Sequence, residues 1–158
     1  MNWWKSFFKR SWIVPIVRLD GVIGSSGQFG GGGLTDSTLA PVLEKAFGMS
    51  RIKAVALIIN SPGGSPTQSS LIAARIKRIS KEKNVPVIAF CEDVAASGGY
   101  WLACSAEEIY ADENSIVGSI GVISASFGFH EFINRQGIER RVYTAGEDKS
   151  VLDPFRPE

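Results

Sequence analysis

Apolar positions along the chain follow two rhythms that take turns, and their order predicts an α/β protein. Residues 53–59 (KAVALII) are continuously apolar, as a strand covered on both faces of a parallel sheet must be. Residues 85–91 (VPVIAFC) repeat that pattern. Between these runs Ile72, Ile76 and Ile79 recur at helical spacing, which predicts a helix from the turn at 60–65 to about Lys83. An earlier helix is predicted by Leu39, Val42, Leu43, Ala46 and Phe47, capped by Thr35 or Asp36 and closed by Gly48. Residues 13–23 are β-branched but interrupted by Pro15 and Gly21, so they read as an edge strand or two short strands. After the turn at 97–99 a helix is expected through Ala106, with short strands at 109–111 and 116–124. A helix over 131–136, ended by Gly137, and an alternating strand over 139–144 complete the pattern. Strands alternating with helices imply an α/β fold with a mostly parallel sheet.

Composition narrows the class. At 158 residues, 44% hydrophobic and 21% charged, the chain is of the size and type of one soluble globular domain. Its net charge of +1 gives no electrostatic reason to expect a nucleic-acid partner. Cys91 and Cys104 lie in apolar runs without CxxC spacing, and His130 is the single histidine. Both cysteines read as buried thiols, and no metal or other cofactor is expected. The basic positions Arg75, Lys77, Arg78, Lys81 and Lys83 read as the solvated outer side of a helix rather than a binding patch.

The first twelve residues form a separate amphipathic segment, ahead of a domain expected over 13–158. Trp3, Trp4, Phe7, Phe8 and Trp12 share one helical face, with Lys5, Lys9 and Arg10 elsewhere. Such a helix lies in a membrane interface, or packs on its own domain or on a neighbouring subunit. The longest uncharged run near this end, 11–17, contains Pro15 and is too short to span a bilayer or to serve as a signal-peptide core. Cytoplasmic residence, with peripheral membrane contact through the aromatic residues, is the resulting expectation.

Candidate chemistry gathers where strands give way to helices. Ser97 stands between small residues and the pair Gly98-Gly99, and Gly63-Gly64 occupies the equivalent place one unit earlier. Ligands of open α/β sheets collect at the carboxyl ends of strands, and glycine lets bare amides approach a carbonyl. A serine there is either a helix N-cap or a nucleophile whose oxyanion is met by amides such as those of Gly64 and Gly98. Gly-rich residues 24–33 lack the Lys-Ser/Thr ending of a phosphate loop. For the base, His130 has no partner pattern, carboxylates have no telling context, and Lys149 lies in a loop where most lysines are solvated. A lysine acts as a base only when its surroundings favour the neutral amine.

The segments 60–64 (NSPGG), 95–101 (AASGGYW), 118–122 (GSIGV) and Ala145-Gly146 with Lys149, in this order and spacing, resemble the signal peptide peptidase A family. These are S49-type serine peptidases, SohB-like proteins included, and the resemblance runs from about Val14 to Arg156. It implies a ClpP/crotonase-like superhelix of ββα units and a Ser-Lys dyad. By position Ser97 is similar to the nucleophile, Lys149 to the general base and Ser119 to the serine that orients the lysine. Gly64 and Gly98 match the oxyanion hole, with Gly63 and Gly99 beside the substrate. The resemblance further implies extended peptide substrates, such as cleaved signal peptides, and a homo-oligomer in which neighbouring subunits share active sites. Two features depart from the family: no membrane anchor is visible, and the domain is expected to be truncated at its C-terminus. Rival expectations are a ClpP-type Ser-His-Asp protease, a crotonase-type acyl-CoA enzyme that needs no serine, and an inactive scaffold subunit.

Overall fold

The computed structural model describes residues 11–24, 33–123, 125–145 and 152–157. The chain forms two compact units, 1–121 and 122–158. In the first, β1 (Ile16–Asp20), β2 (Val55–Ser61), β3 (Val87–Ala96) and β4 (Glu108–Ala111) lie in that order in one sheet, and β5 (Ile116–Gly118) also pairs with β3. Every pairing is parallel. The helices α1 (Asp36–Gly48) and α2 (Pro66–Lys83) connect successive strands, and the short α3 (Gly98–Ala103) follows β3. This is the α/β architecture that the alternating pattern implies.

One sheet face supplies the core. Val17 and Leu19 of β1, Leu57 and Ile59 of β2 and Val87 and Ala89 of β3 are buried with Leu39, Leu43 and Phe47 of α1 and Ile72, Ile76 and Ile79 of α2. Burying each of these valine, leucine, isoleucine and phenylalanine side chains contributes about 1.5–3 kcal/mol. On the opposite face Ile16 and Phe90 are exposed, Phe90 stacks on Tyr110 with centroids 5.4 Å apart, and Arg18 reaches across β2 to pair with Glu92. α1 begins with a capping box in which Thr35 and Thr38 exchange side-chain-to-backbone bonds. α2 has Ser65 as N-cap and Pro66 in its first turn, and it ends on Asn84 in the left-handed conformation.

Several boundaries differ from the sequence pattern. β3 runs on past Cys91 to Ala96 because Glu92 and Asp93 are absorbed in a bulge. Register passes from Ile59↔Cys91 to Ser61↔Ala95, and the Asn60 side chain fills the gap by accepting from Val94 N–H and donating to Asp93. α3 stops at Ala103 rather than Ala106, and β5 covers only 116–118, because Ser119 and Gly121 have positive φ. Val42 is exposed, so the buried stripe of α1 is narrower than its periodicity suggests. Cys91 is buried, and burial raises its thiol pKa; Cys104 is exposed, since α3 ends there and turns it outward. Arg75 is turned towards α1, where its guanidinium pairs with Asp36 through two 2.6 Å hydrogen bonds.

The second unit carries α4 (His130–Arg135). Within it Phe129 N–H donates to Pro154 O, Arg140 pairs with Asp153, and the Phe129 and Phe155 rings lie 5.6 Å apart. Residues 139–144 form no strand, because among the described residues no neighbour supplies a ladder for their alternating pattern.

The Asp36–Arg75 pair predicts a measurable pH dependence of stability. The Arg75 hydrogen bond holds the Asp36 carboxyl below its ordinary 3.8. Its contribution is therefore complete above the unfolded value and is lost as pH falls through the lower folded one. Asp36→Asn is expected to cost about 1 kcal/mol at neutral pH and to flatten the acid limb of the denaturation profile. Urea midpoints measured from pH 7 down to pH 3 check both effects.

Candidate active site

The site lies at the carboxyl ends of β2 and β3, where two glycine turns meet. β2 ends on Ser61, which Pro62 holds in an extended conformation, and the chain then turns at Gly63 (φ +97°) and Gly64 (φ +147°). β3 ends on Ala96, and Ser97 turns the chain into α3. The turns are in contact. A Cβ on Gly63 would lie 2.8 Å from the Gly98 nitrogen and 2.9 Å from the Ser97 Cβ, and one on Gly98 would lie 3.4 Å from the Gly63 Cα. Gly99 is as confined, since a Cβ there would meet the Ser61 carbonyl oxygen at 2.4 Å. Only glycine permits this approach.

Ser97 has φ +52° and ψ −118°, a conformation that costs a non-glycine residue about 1–3 kcal/mol. Its side chain caps no amide of α3, so the N-cap alternative fails on geometry. Among the described residues its hydroxyl has no hydrogen-bond partner, and the residue is half-buried. A serine on a strained strand-to-helix turn with its hydroxyl left free has the geometry of a nucleophile elbow. The turn is tied down by its backbone: Ser97 N–H donates to Gly118 O at 2.7 Å, and Trp101 N–H donates to Ser97 O at 3.0 Å.

The amides of the two turns divide by their bonding. Gly63 is buried and its N–H donates to Ser61 Oγ at 3.2 Å. Gly64 is exposed, and neither its N–H nor that of Gly98 has a hydrogen-bond acceptor among the described residues. The two contacting turns thus carry two amides without an acceptor, those of Gly64 and Gly98. Ser119, with φ +54°, directly follows Gly118, which is the register partner of Ala96. The sheet therefore brings Ser119 beside the Ser97 turn. Lys149 lies outside the described residues. His130 begins α4 in the second unit. No group of acidic, histidine or cysteine side chains able to hold a metal ion occurs among the described residues.

Three contributors escape the sequence reading. Ile23, assigned there to an edge strand, donates its N–H to Gly63 O and accepts from Ser65 N–H, both at 2.8 Å, so it clamps the first turn. Ser61 and Ser69 are fully buried against the glycine turns. A polar residue in the inner stripe of α2, one turn before Ile72 and Ala73, is the available signal for Ser69.

The parallel sheet and its strand-to-helix turns define a ClpP-like α/β fold. A membrane-bound stomatin-specific protease, 1510-N, solved as a lysine-to-alanine mutant with a substrate peptide, superposes with a TM-score of 0.57 at 20% identity. That alignment covers 72% of this chain and 48% of the other. The family model described as Peptidase family S49 matches residues 79–158, and the chain belongs to that family. It is 38% identical to Protease 4 of Haemophilus influenzae over 79% of this chain and 20% of that protein. It is 54% identical to a Brucella melitensis protein named Na(+)/H(+) antiporter NhaA, over 92% of this chain and 20% of that protein. The chain thus spans about a fifth of the length of these two relatives.

The contact geometry predicts which glycines tolerate a side chain. Gly64→Ala drives a Cβ to 2.0 Å from the Ile23 carbonyl oxygen at φ +147°, and a loss of about 2–4 kcal/mol is expected. Gly48→Ala meets nothing within 4 Å and is expected to be neutral or to stabilise by about 0.5–1 kcal/mol. Thermal unfolding of the two variants checks the contrast.

Proposed function

We propose that the chain carries the catalytic centre of a serine endopeptidase that uses Ser97 as nucleophile and Lys149 as general base. The observation that carries the reading is the strained Ser97 turn, whose hydroxyl has no partner among the described residues and which contacts the turn of Gly63 and Gly64. Membership of peptidase family S49 supports it. Neutral Lys149 takes the proton from Ser97 Oγ as that oxygen bonds to the peptide carbonyl carbon, and Ser119 orients the amine. The Gly64 and Gly98 amides receive the oxyanion. The lysine then returns its proton to the leaving nitrogen as the C–N bond breaks, and water releases the acyl group by the same sequence. A crotonase-type enzyme or an inactive scaffold would have no use for the strain stored at Ser97.

The substrates are extended peptides lying beside Gly63 and Gly99, cleaved signal peptides among them. The active assembly is a homo-oligomer in which neighbouring copies share sites. Exposed Phe132 and Tyr143 in the second unit, at 60% and 91% relative exposure, support cover by another copy. The antiporter name belongs to a Brucella polypeptide that the chain matches over one fifth. Among the described residues no helix is long and apolar enough to cross a membrane.

Ser97→Ala and Lys149→Ala are each expected to lower peptide hydrolysis by at least about 10³-fold, and Ser97→Ala to abolish labelling by a fluorophosphonate. Turnover retained by either variant contradicts the dyad.

The protein is cytoplasmic, with peripheral membrane contact through Trp12 and through Trp3, Trp4, Phe7 and Phe8, which lie outside the described residues. Trp12 is 68% exposed and continuous with exposed Val14 and Ile16, which supports this placement. Cosedimentation with vesicles containing anionic lipid is expected, with loss in a Trp12→Glu, Phe8→Glu variant. Equal sedimentation of the two proteins contradicts lipid contact.

A further inference from the structure

We infer that Ser61 is a positioning residue that selects which glycine amide is offered to the substrate. It binds the Gly63 N–H from the buried side, which leaves the Gly64 N–H as the outward donor. The inference rests on the acyl transfer proposed at Ser97. Ser61 is the last residue of β2 and is 0% exposed, while Gly63 is buried and Gly64 exposed. Its Oγ accepts the Gly63 N–H at 3.2 Å. The rest of the same residue forms the wall of the second turn: a Cβ on Gly99 would lie 2.4 Å from the Ser61 carbonyl oxygen and 3.2 Å from the Ser61 Cβ. One residue thus touches both turns, through its hydroxyl on one side and its backbone on the other.

The hold matters because the residues it governs are glycines. At φ +97° and +147° the backbone of Gly63 and Gly64 occupies a region where glycine alone moves freely, so the direction of each peptide plane is set by the hydrogen bonds that hold it. Ile23 fixes the Gly63 carbonyl and the Ser65 amide, and Ser61 Oγ fixes the Gly63 amide. Without Oγ the buried Gly63 N–H has lost its acceptor, and regaining one requires the turn to rotate and carry the Gly64 N–H with it. Ser69 sets the spacing from the other side. Its Oγ, donating to Ser65 O at 2.9 Å, lies where a Cβ on Gly98 would be 2.3 Å away. Gly98 therefore has a fixed floor, and the Gly64 amide is held jointly, by Ile23 through the Gly63 carbonyl in its own peptide plane and by the Ser61 hydroxyl through the preceding Gly63 amide.

The test compares wild type, Ser61→Ala and Ser61→Cys in the full chain, with Ser97→Ala as control. The readouts are kcat and KM on an internally quenched peptide, inhibition by a peptide aldehyde and by the matching peptide alcohol, and the melting temperature. The aldehyde forms a tetrahedral adduct bearing the oxyanion, and the alcohol does not. Ser61→Ala is expected to lower kcat by about 10- to 100-fold with KM within about twofold of wild type. Aldehyde affinity should weaken by the same factor while alcohol affinity holds, and Ser61→Cys, whose sulfur is a weak acceptor, should fall between. Wild-type kcat and aldehyde affinity in a folded Ser61→Ala overturn the inference. So does an equal loss of aldehyde and alcohol affinity, which marks general damage to the site. Where Ser61→Ala does not fold, Ser61→Cys decides by the same criteria. Turnover retained by Ser97→Ala removes the acyl-transfer reading and this inference with it. An inactive Ser97→Ala beside unaffected Ser61 variants removes the inference alone.

Discussion

Two backbone turns pressed together without side chains between them set the terms for the rest of the molecule. Gly63 and Gly98 approach so closely that a single methyl group on the first would collide with the amide nitrogen of the second. That contact exists because β2 and β3 are parallel neighbours whose carboxyl ends both break into glycine turns at the same level of the sheet. The buried apolar residues of β1–β3, α1 and α2 keep those strand ends in register. The core therefore does more than stabilise the fold, because its register determines whether the amides around Ser97 converge.

Strain at Ser97 is paid for by this framework. A left-handed serine relaxes unless the structure on both sides forbids it. Here β3 arrives through a bulge closed by Asn60, the Ser97 amide is held by Gly118, and α3 is anchored through Trp101. The result is a hydroxyl presented without a cap at the end of a rigid strand, with bare amides alongside. For the acyl transfer proposed at Ser97, such preorganisation would spare the reorganisation that solvent otherwise has to undergo as charge develops.

How much of this was legible in the sequence depended on how local each cause is. The apolar runs at 53–59 and 85–91, the isoleucine stripe of α2 and the two glycine pairs carry their meaning in adjacent residues, and the elements lie where those patterns put them. The parallel sheet followed from their alternation. The strand expected over 85–91 runs on to Ala96, because the side chain of Asn60, on the neighbouring strand, closes the bulge that follows Cys91. Residues 139–144 alternate correctly, yet alternation forms no strand without a neighbour to pair with. Ser61, Ser69 and Ile23 were illegible as site residues because each acts by touching a turn that is distant along the chain. The roles of Ser97, Ser119 and Lys149 were implied by the family resemblance alone, and the first two directly follow the paired strands β3 and β5.

The most direct test of the account is a crystal structure of the protein with a peptide aldehyde bound covalently. The account predicts a bond from the inhibitor carbon to Ser97 Oγ, with the adduct oxygen within hydrogen-bond distance of both the Gly64 and Gly98 amides. An adduct on another residue, or one on Ser97 whose oxygen faces away from both glycine turns, would contradict it.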